Sequence, residues 1–360
     1  MADRILEMGL RHHTSAKLLS TLKMSFRRGV NVLSNPADAV RLASYILRPD
    51  GRDETACRFT SSRGLLKSCA ARNKHPISGS YKIDRATIQG LMPYRSLYLA
   101  TNAIEEFAHQ HLEALKFPIT LVTGDSGRSV SFSSIDRLAL TRLLESEWIT
   151  NWFAQNLCIR HPKVTPLPVA MDYHTLTRRL NHPWGPFASP TEQEKLLLRT
   201  RNKRRKLSEK RILCYANWHF QLSRGDRTEC LSKLDPRTVF FEPQPLQRRE
   251  SWANNANFSF TASPSGKGLD CHRTWEALLL GSVPIVKTSH LDGLYQGLPV
   301  CIVKDWCEVS PDYLHQKLDE IQDAKYDFRP LYLSYWVSRI HGRGVPETKP
   351  MSFQDFLDNG

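Results

Sequence analysis

No stretch of this 360-residue chain stays apolar for long. The longest nearly apolar run, residues 277–286, is about half of the ~20 residues that a membrane helix needs, so no membrane span is expected. The first thirty residues carry scattered charges (Asp3, Arg4, Glu7, Arg11, Lys17, Lys23, Arg27, Arg28) and no compact apolar segment of a secretory signal. They read as an amphipathic or frayed helix, and the expected location is cytoplasmic. The eight cysteines (Cys57, Cys69, Cys158, Cys214, Cys230, Cys271, Cys301, Cys307) include no C-x-x-C pair, which argues against a structural zinc site and a small disulfide scaffold. Reduced, mostly buried thiols are expected instead. Acidic residues are the minority, 36 against 50 Lys and Arg, for a formal charge of +14. That excess favours an anionic partner: nucleic acid, an acidic lipid face, a phosphorylated small molecule or an acidic glycan.

What is present supports a folded protein of two packed domains of ordinary size or one large one. Hydrophobic residues make up 41% and charged residues 24%, enough for a sizeable core and too apolar for disorder. Residues 1–75 alternate short apolar patches with basic and polar residues and say least. Residues 118–125 read as a buried strand closed by Gly124-Asp125, and 134–147 as a helix with apolar Ile135, Leu138, Leu140, Leu143 and Leu144 near helical spacing. Residues 164–170 are held extended by Pro166 and Pro168. Residues 172–190 have the composition of a linker. Ser189-Pro190-Thr191-Glu192 then spells a helix start with a capping box, leading into the basic run 199–206.

From Lys210 onward strand and helix alternate. Strands are predicted at 212–220, 238–241, 258–261, 283–287 and 300–303, and helices at 228–234, 247–253, 269–280 and 311–324. Residues 331–340 are aromatic-rich and read as helical, followed by a polar tail. Such alternation with short connections predicts a mostly parallel sheet flanked by helices. The expected organisation is two α/β halves: an amino-terminal domain over 1–171, a linker and basic helix over 172–208, a second domain over 209–325, and a carboxyl-terminal helix and tail over 326–360.

The most informative stretch is 258–287, a strand, a Gly/Ser loop, a helix, a tight turn and a strand. In an open parallel sheet, ligands bind outside the carboxyl ends of the strands, the place taken by Ser263, Ser265, Gly266, Lys267 and Gly268. Glycines let backbone N–H groups approach a phosphate, serines donate, Lys267 adds charge and the helix N-terminus adds a favourable dipole. Arg273 suits a diphosphate gripped at two points, and Glu276 suits a ribose diol. The alternative is a plain surface i, i+3 pair of Arg273 and Glu276. The loop matches neither G-x-x-x-x-G-K-[ST] nor G-x-G-x-x-G, so neither a P-loop ATPase nor a Rossmann dehydrogenase is expected.

The run Ser263-Pro-Ser-Gly-Lys-Gly-Leu-Asp270, with Arg273-Thr-Trp-Glu-Ala-Leu278 and Gly281-Ser-Val-Pro-Ile-Val286, resembles the carboxyl-terminal signature of the exostosin-like glycosyltransferases, especially their shorter microbial, algal and viral members. Upstream, residues 122–125, 152–156, 161–163, 168–175, 184–186 and 215–217 resemble the same group, so the likeness spans roughly 118–310. It implies the two-domain GT-B architecture, two Rossmann-like domains facing a cleft with the amino-terminal lobe less regular, and inverting, metal-independent transfer of a sugar. The implied co-substrate is a nucleotide-diphosphate sugar, UDP-linked, with no further cofactor; the implied acceptor is a glycan or glycoconjugate. Two features depart from the group: the membrane anchor and disulfides of its animal members are not evident, and the amino half is short for a full Rossmann-like domain.

On that reading Ser265, Gly266, Lys267 and Arg273, backed by Ser263, face the leaving diphosphate. Glu276 holds the ribose. Arg227, with Arg224 as the alternative, reaches the same phosphates, and Trp218 stacks on the base. A base must remove the acceptor proton; Asp125 is the first candidate, Asp172 and His174 the next. Asp125 is equally well read as a turn-former. His12 and His13 read as solvated, His161, His174, His182 and His219 lack metal-ligand spacing, and Cys301 and Cys307 read as core thiols. The different-class alternatives are a nucleic-acid-binding protein resting on the 199–211 run, whose simpler reading is a solvated helix face or exposed linker, and a glycan-binding relative without turnover.

Overall fold

The computed structural model describes residues 53–177, 181–218 and 222–360. The expectations for the first 52 residues, including His12 and His13, and for His219 and the end of the 212–220 strand lie outside them.

Two parallel five-stranded sheets carry the molecule. The first lobe runs α1 (Ser62–Ser68), β1 (Ala71–Arg72), α2 (Arg85–Gln89), β2 (Ser96–Ala100), α3 (Ile104–Gln110), β3 (Ile119–Gly124), α4 (Arg137–Glu145), β4 (Ile149–Gln155) and β5 (Val164–Leu167). Its strands lie side by side in chain order, all parallel. The amino half thus holds a full sheet despite its length, because its connections are short and β1 has two residues. Residues 149–155, whose apolar side chains lack clean alternation, form β4, with Trp152 and Ala154 fully buried. A strand covered on both faces need not alternate.

Helix α5 (Pro190–Asn202) leads to the second lobe: β6 (Arg211–Ala216), α6 (Arg227–Lys233), β7 (Val239–Phe241), α7 (Arg248–Asn255), β8 (Phe258–Ala262), α8 (His272–Leu280), β9 (Val283–Lys287), β10 (Cys301–Val303) and α9 (Pro311–Asp323). The strands lie in the order β10-β9-β8-β6-β7, all parallel. From β6 the chain steps to one side for β7, then crosses to the other for β8, so the order reverses between β6 and β8. Crevices at such reversals are where open α/β sheets bind ligands. Trp275, Leu278 and Leu279 are buried, as their shared helical face requires. Gly281, at φ 78°, ends α8 in the left-handed conformation that glycine adopts without strain.

Two further helices, α10 (Leu333–Ile340) and α11 (Phe353–Asn359), bind the lobes together. The chain returns to the first lobe through Thr60 N–H to Leu331 O (2.8 Å) and Leu333 N–H to Arg58 O (2.9 Å). The 189–192 capping box forms as read: Ser189 Oγ accepts Glu192 N–H at 3.3 Å and Glu192 Oε2 accepts Ser189 N–H at 2.8 Å.

The basic run is for the most part the solvated face expected of it, with Arg199, Lys203, Arg205, Lys206 and Arg211 exposed, but two of its cations turn inward. Arg201 is buried, stacked 4.4 Å over the Phe356 ring, with its guanidinium donating to Leu357 O at 3.1 Å and to Phe356 O. Lys210 is buried too, donating to Leu280 O at 3.4 Å and to Gly281 O. These two cations satisfy carbonyls at two helix ends, where helices lack intrahelical donors. All eight cysteines are free and five are buried, but Cys307 is exposed, contrary to the core reading. Among the described residues no helix is long and apolar enough to cross a membrane.

Candidate functional site

The carboxyl edges of the two sheets face each other across a cavity of about 500 Å³. On the second-lobe side the wall carries Arg227, Gly266, Lys267, Arg273 and Glu276. Arg227 opens α6 after β6, and Arg273 lies in the first turn of α8 after β8, so the strand-order reversal brings the two cations together. Burial, and after it the charge of Arg273, push the Arg227 guanidinium below its usual value, with exposed Arg224 acting the same way. Positive charge crowded at a helix N-terminus is what a diphosphate would relieve. Arg273 is steered by Pro264 O, 3.0 Å from Nη1, and by Ser263 Oγ at 3.3 Å.

Three of the expected contacts are corrected. Ser263 is buried with its hydroxyl 2.8 Å from Thr274 Oγ1, so it orients Arg273 and does not line the cavity. Ser265 is held by Asp226 Oδ1, which accepts its N–H at 2.6 Å and its hydroxyl at 2.7 Å, so it shapes the loop and is likewise absent from the wall. Trp218 does line the cavity, but it is buried, T-packed on Phe241 with centroids 5.2 Å apart, and its Nε1 donates to Ala262 O at 3.3 Å; it is a wall of the core more than a platform.

On the first-lobe side, three residues at the carboxyl ends of successive strands have left-handed backbones: Asp125 (φ 51°), Asn156 (φ 51°) and Ala170 (φ 48°). Asp and Asn tolerate this region better than Ala, and such strain persists only where surroundings enforce it. Gln155 enforces it at Asp125, whose N–H it accepts at 2.9 Å. Asp125 lines the cavity, but its carboxylate is engaged by buried Arg63 at 2.8 Å and by Ser78 Oγ at 2.9 Å. It is therefore a poor first choice for a base.

His174 and Asp172 form a dyad. His174 Nδ1 lies 3.1 Å from Asp172 Oδ1, which also accepts Thr175 N–H at 2.9 Å, while Oδ2 accepts the Thr175 hydroxyl at 2.7 Å. Only a donor on Nδ1 suits a carboxylate, which leaves Nε2 as the basic atom. His174 lines the cavity; Asp172 does not, so its role is to position the imidazole. Burial opposes the Asp172 charge, but His174, His272 and Arg248 together hold its carboxyl far below the usual range. Burial also pushes the His174 imidazole below its usual value, against the pull of Asp172 and Asp125.

The lobes meet through residues to which the sequence reading gave no role. Asp270, buried at the cavity wall, accepts Val169 N–H at 2.7 Å and Trp275 Nε1 at 2.9 Å, and its own N–H donates to Asn156 Oδ1 at 3.0 Å. Burial pushes its carboxyl up to about 6, against hydrogen bonds that pull it down. His272 Nδ1 donates to Ala170 O at 2.6 Å. Arg248 lies between Trp184 and Trp252, donates to Asp172 O at 2.7 Å, and approaches Glu276 at 3.8 Å. The signal for Asp270 was available: a buried indole N–H at Trp275 requires an acceptor. Arg63 lies in residues 1–75, the stretch whose sequence says least.

Among the described residues, no three His, Cys, Asp or Glu side chains are gathered as metal ligands. No family model matches the chain, and no curated protein matches it either.

Proposed function

We propose that the chain is a glycosyltransferase of GT-B type, moving a sugar from a nucleotide-diphosphate sugar to a hydroxyl of a glycan or glycoconjugate. One observation carries the reading: a cationic wall at the β6/β8 reversal (Arg227, Lys267, Arg273) faces a carboxylate-oriented imidazole (His174) across one cavity. A phosphate-bearing leaving group and a proton to be removed are the two things those walls suit.

In the proposed single displacement the acceptor oxygen attacks the anomeric carbon as the bond from that carbon to the diphosphate oxygen breaks. The acceptor proton passes to His174 Nε2, and the nucleoside diphosphate departs with its charge held by Arg227, Lys267 and Arg273. Attack opposite the leaving group inverts the anomeric centre. Asp172 keeps the proton on Nδ1 and stabilises the imidazolium, and Glu276 takes the ribose hydroxyls. The nucleic-acid alternative loses part of its support, since Arg201 and Lys210 are internal.

Incubation with a panel of nucleotide sugars, with and without saccharide acceptors, tests the proposal by release of nucleoside diphosphate. Release abolished by His174→Ala supports it. Donor binding with no release from any pairing reduces the chain to a binding relative.

A further inference from the structure

Residues 73–84 form a compact loop with closed ends. Asn73 Nδ2 donates to Lys82 O at 2.8 Å, Asn73 Oδ1 accepts Asp84 N–H at 3.0 Å, and Asp84 Oδ2 accepts Lys74 N–H at 3.0 Å. The tip turns through Ser80 N–H to Ile77 O at 3.1 Å, with Gly79 at φ 68°. It is fastened to the cavity floor: Gly79 N–H donates to Asp125 O at 2.8 Å, and Arg63 donates to Pro76 O and Ser78 Oγ, each at 3.0 Å. Ser78 and Gly79 line the cavity, so the loop is part of its rim.

A loop pinned at both ends and at its tip is of the Ω type, a class that often carries function. Its outward side chains are held in place, yet Ile77 is 68% and Tyr81 64% exposed. Nothing in the packing of the first lobe explains their position. Over residues 72–85 Arg72, Lys74, Lys82 and Arg85 are exposed, and the one carboxylate of that stretch, Asp84, already accepts a backbone N–H.

An aliphatic and an aromatic side chain exposed on one short loop, with exposed cations before, within and after it, match the boundary of an anionic lipid surface. Tyrosine sits at headgroup depth, the aliphatic tip enters the acyl boundary, and each cation meets negative headgroups. A saccharide platform would use the Tyr81 face but has no use for Ile77. We propose that loop 73–84 docks the rim of the cleft onto a membrane surface rich in anionic lipid. Met92 and Tyr94 are also exposed, but Tyr94 N–H donates to Pro118 O at 2.7 Å, which sets them at the amino end of β2 and β3, the far end of the sheet. They serve as internal controls.

Co-sedimentation of the full chain with vesicles of phosphatidylcholine alone, or containing about a third phosphatidylserine, tests the proposal. Binding to the serine-lipid vesicles that weakens as salt rises, falls about tenfold in Ile77→Ser/Tyr81→Ser, and is unchanged in Met92→Ser/Tyr94→Ser supports it. Unchanged melting temperatures establish that both variants fold. Absent vesicle binding overturns it, as does equal binding by the Ile77/Tyr81 variant, which would mark a general effect of net charge. If that variant instead loses retention on dextran-sulfate resin while the unaltered chain ignores vesicles, the loop recognises a glycan and the proposal falls. Vesicle binding is read without turnover, so a negative result leaves sugar transfer standing.

Discussion

Asp172 Oδ1 lies 3.1 Å from Nδ1 of His174, and only the histidine of the pair reaches the cavity. Replacing His174 with Ala is expected to lower turnover by about 10²–10⁴-fold with little change in donor affinity. Because burial lowers the imidazole's proton affinity, the neutral base predominates at neutral pH, and kcat falls only on the acid side, below the ordinary histidine value of about 6.5. Asp172→Asn removes a charge that favours the imidazolium, so the acid limb moves to still lower pH while turnover drops. A pH–rate profile of both forms checks the sign.

Asp270 predicts a distinct pH dependence of stability. Its folded-state carboxyl, pushed up to about 6 by burial, holds a proton that the unfolded chain releases near 3.8, so its contribution falls as pH rises from about 4 to 6, by about 3 kcal/mol. Buried His174 acts in the opposite sense between its lowered value and about 6.5. The comparison of wild type with Asp270→Asn isolates the carboxyl: denaturant melts across pH 4–7 should lose that downward slope in the variant. An unchanged slope would assign it elsewhere.

Gly127 and Lys267 set how closely the lobes approach. A Cβ on Gly127 would lie 2.6 Å from Lys267 Cγ and 3.0 Å from its carbonyl carbon. Gly127→Ala should therefore cost about 1–3 kcal/mol and reduce turnover by shifting Lys267. Gly293→Ala, with nothing within 4 Å, should be close to neutral. Urea midpoints of the two variants make the comparison.

Arg201 offers a test of the basic run. Arg201→Ala leaves the Leu357 carbonyl without its donor and Phe356 O with only Gly360 N–H, an expected loss of about 1–3 kcal/mol, and should expose residues 353–359 to protease. Exposed Arg205→Ala should change stability by less than about 0.5 kcal/mol. Equal effects would mean that Arg201 carries no more than its exposed neighbours.

Much of the second lobe was legible because its strands and helices alternate with clear punctuation: Ser189 and Pro190 open a helix, Gly281 closes one, and Trp275, Leu278 and Leu279 share a buried stripe. The first lobe was less legible because β1 has two residues and because β4, buried on both faces, lacks a period-two pattern. At the site, residue types near one loop could be gathered from sequence, which is why Arg227, Lys267, Arg273 and Glu276 converge. Ser263 and Ser265 misled, since a hydroxyl beside a phosphate-like loop serves equally well to orient an arginine or hold Asp226. The pairing of Asp125 with Arg63 was not readable, because it joins β3 to a helix some sixty residues upstream.

Arg227 and Arg273 are proposed to grip a nucleotide diphosphate at the β6/β8 reversal. Thermal unfolding with a panel of nucleoside diphosphates at millimolar concentration tests it directly, since a ligand that binds only the folded state raises the melting temperature. The account predicts a rise with at least one diphosphate, UDP first among them, that disappears in Arg273→Ala and Arg227→Ala while the unliganded melting temperature is kept. No rise with any member of the panel, or an equal rise in both variants, would contradict it.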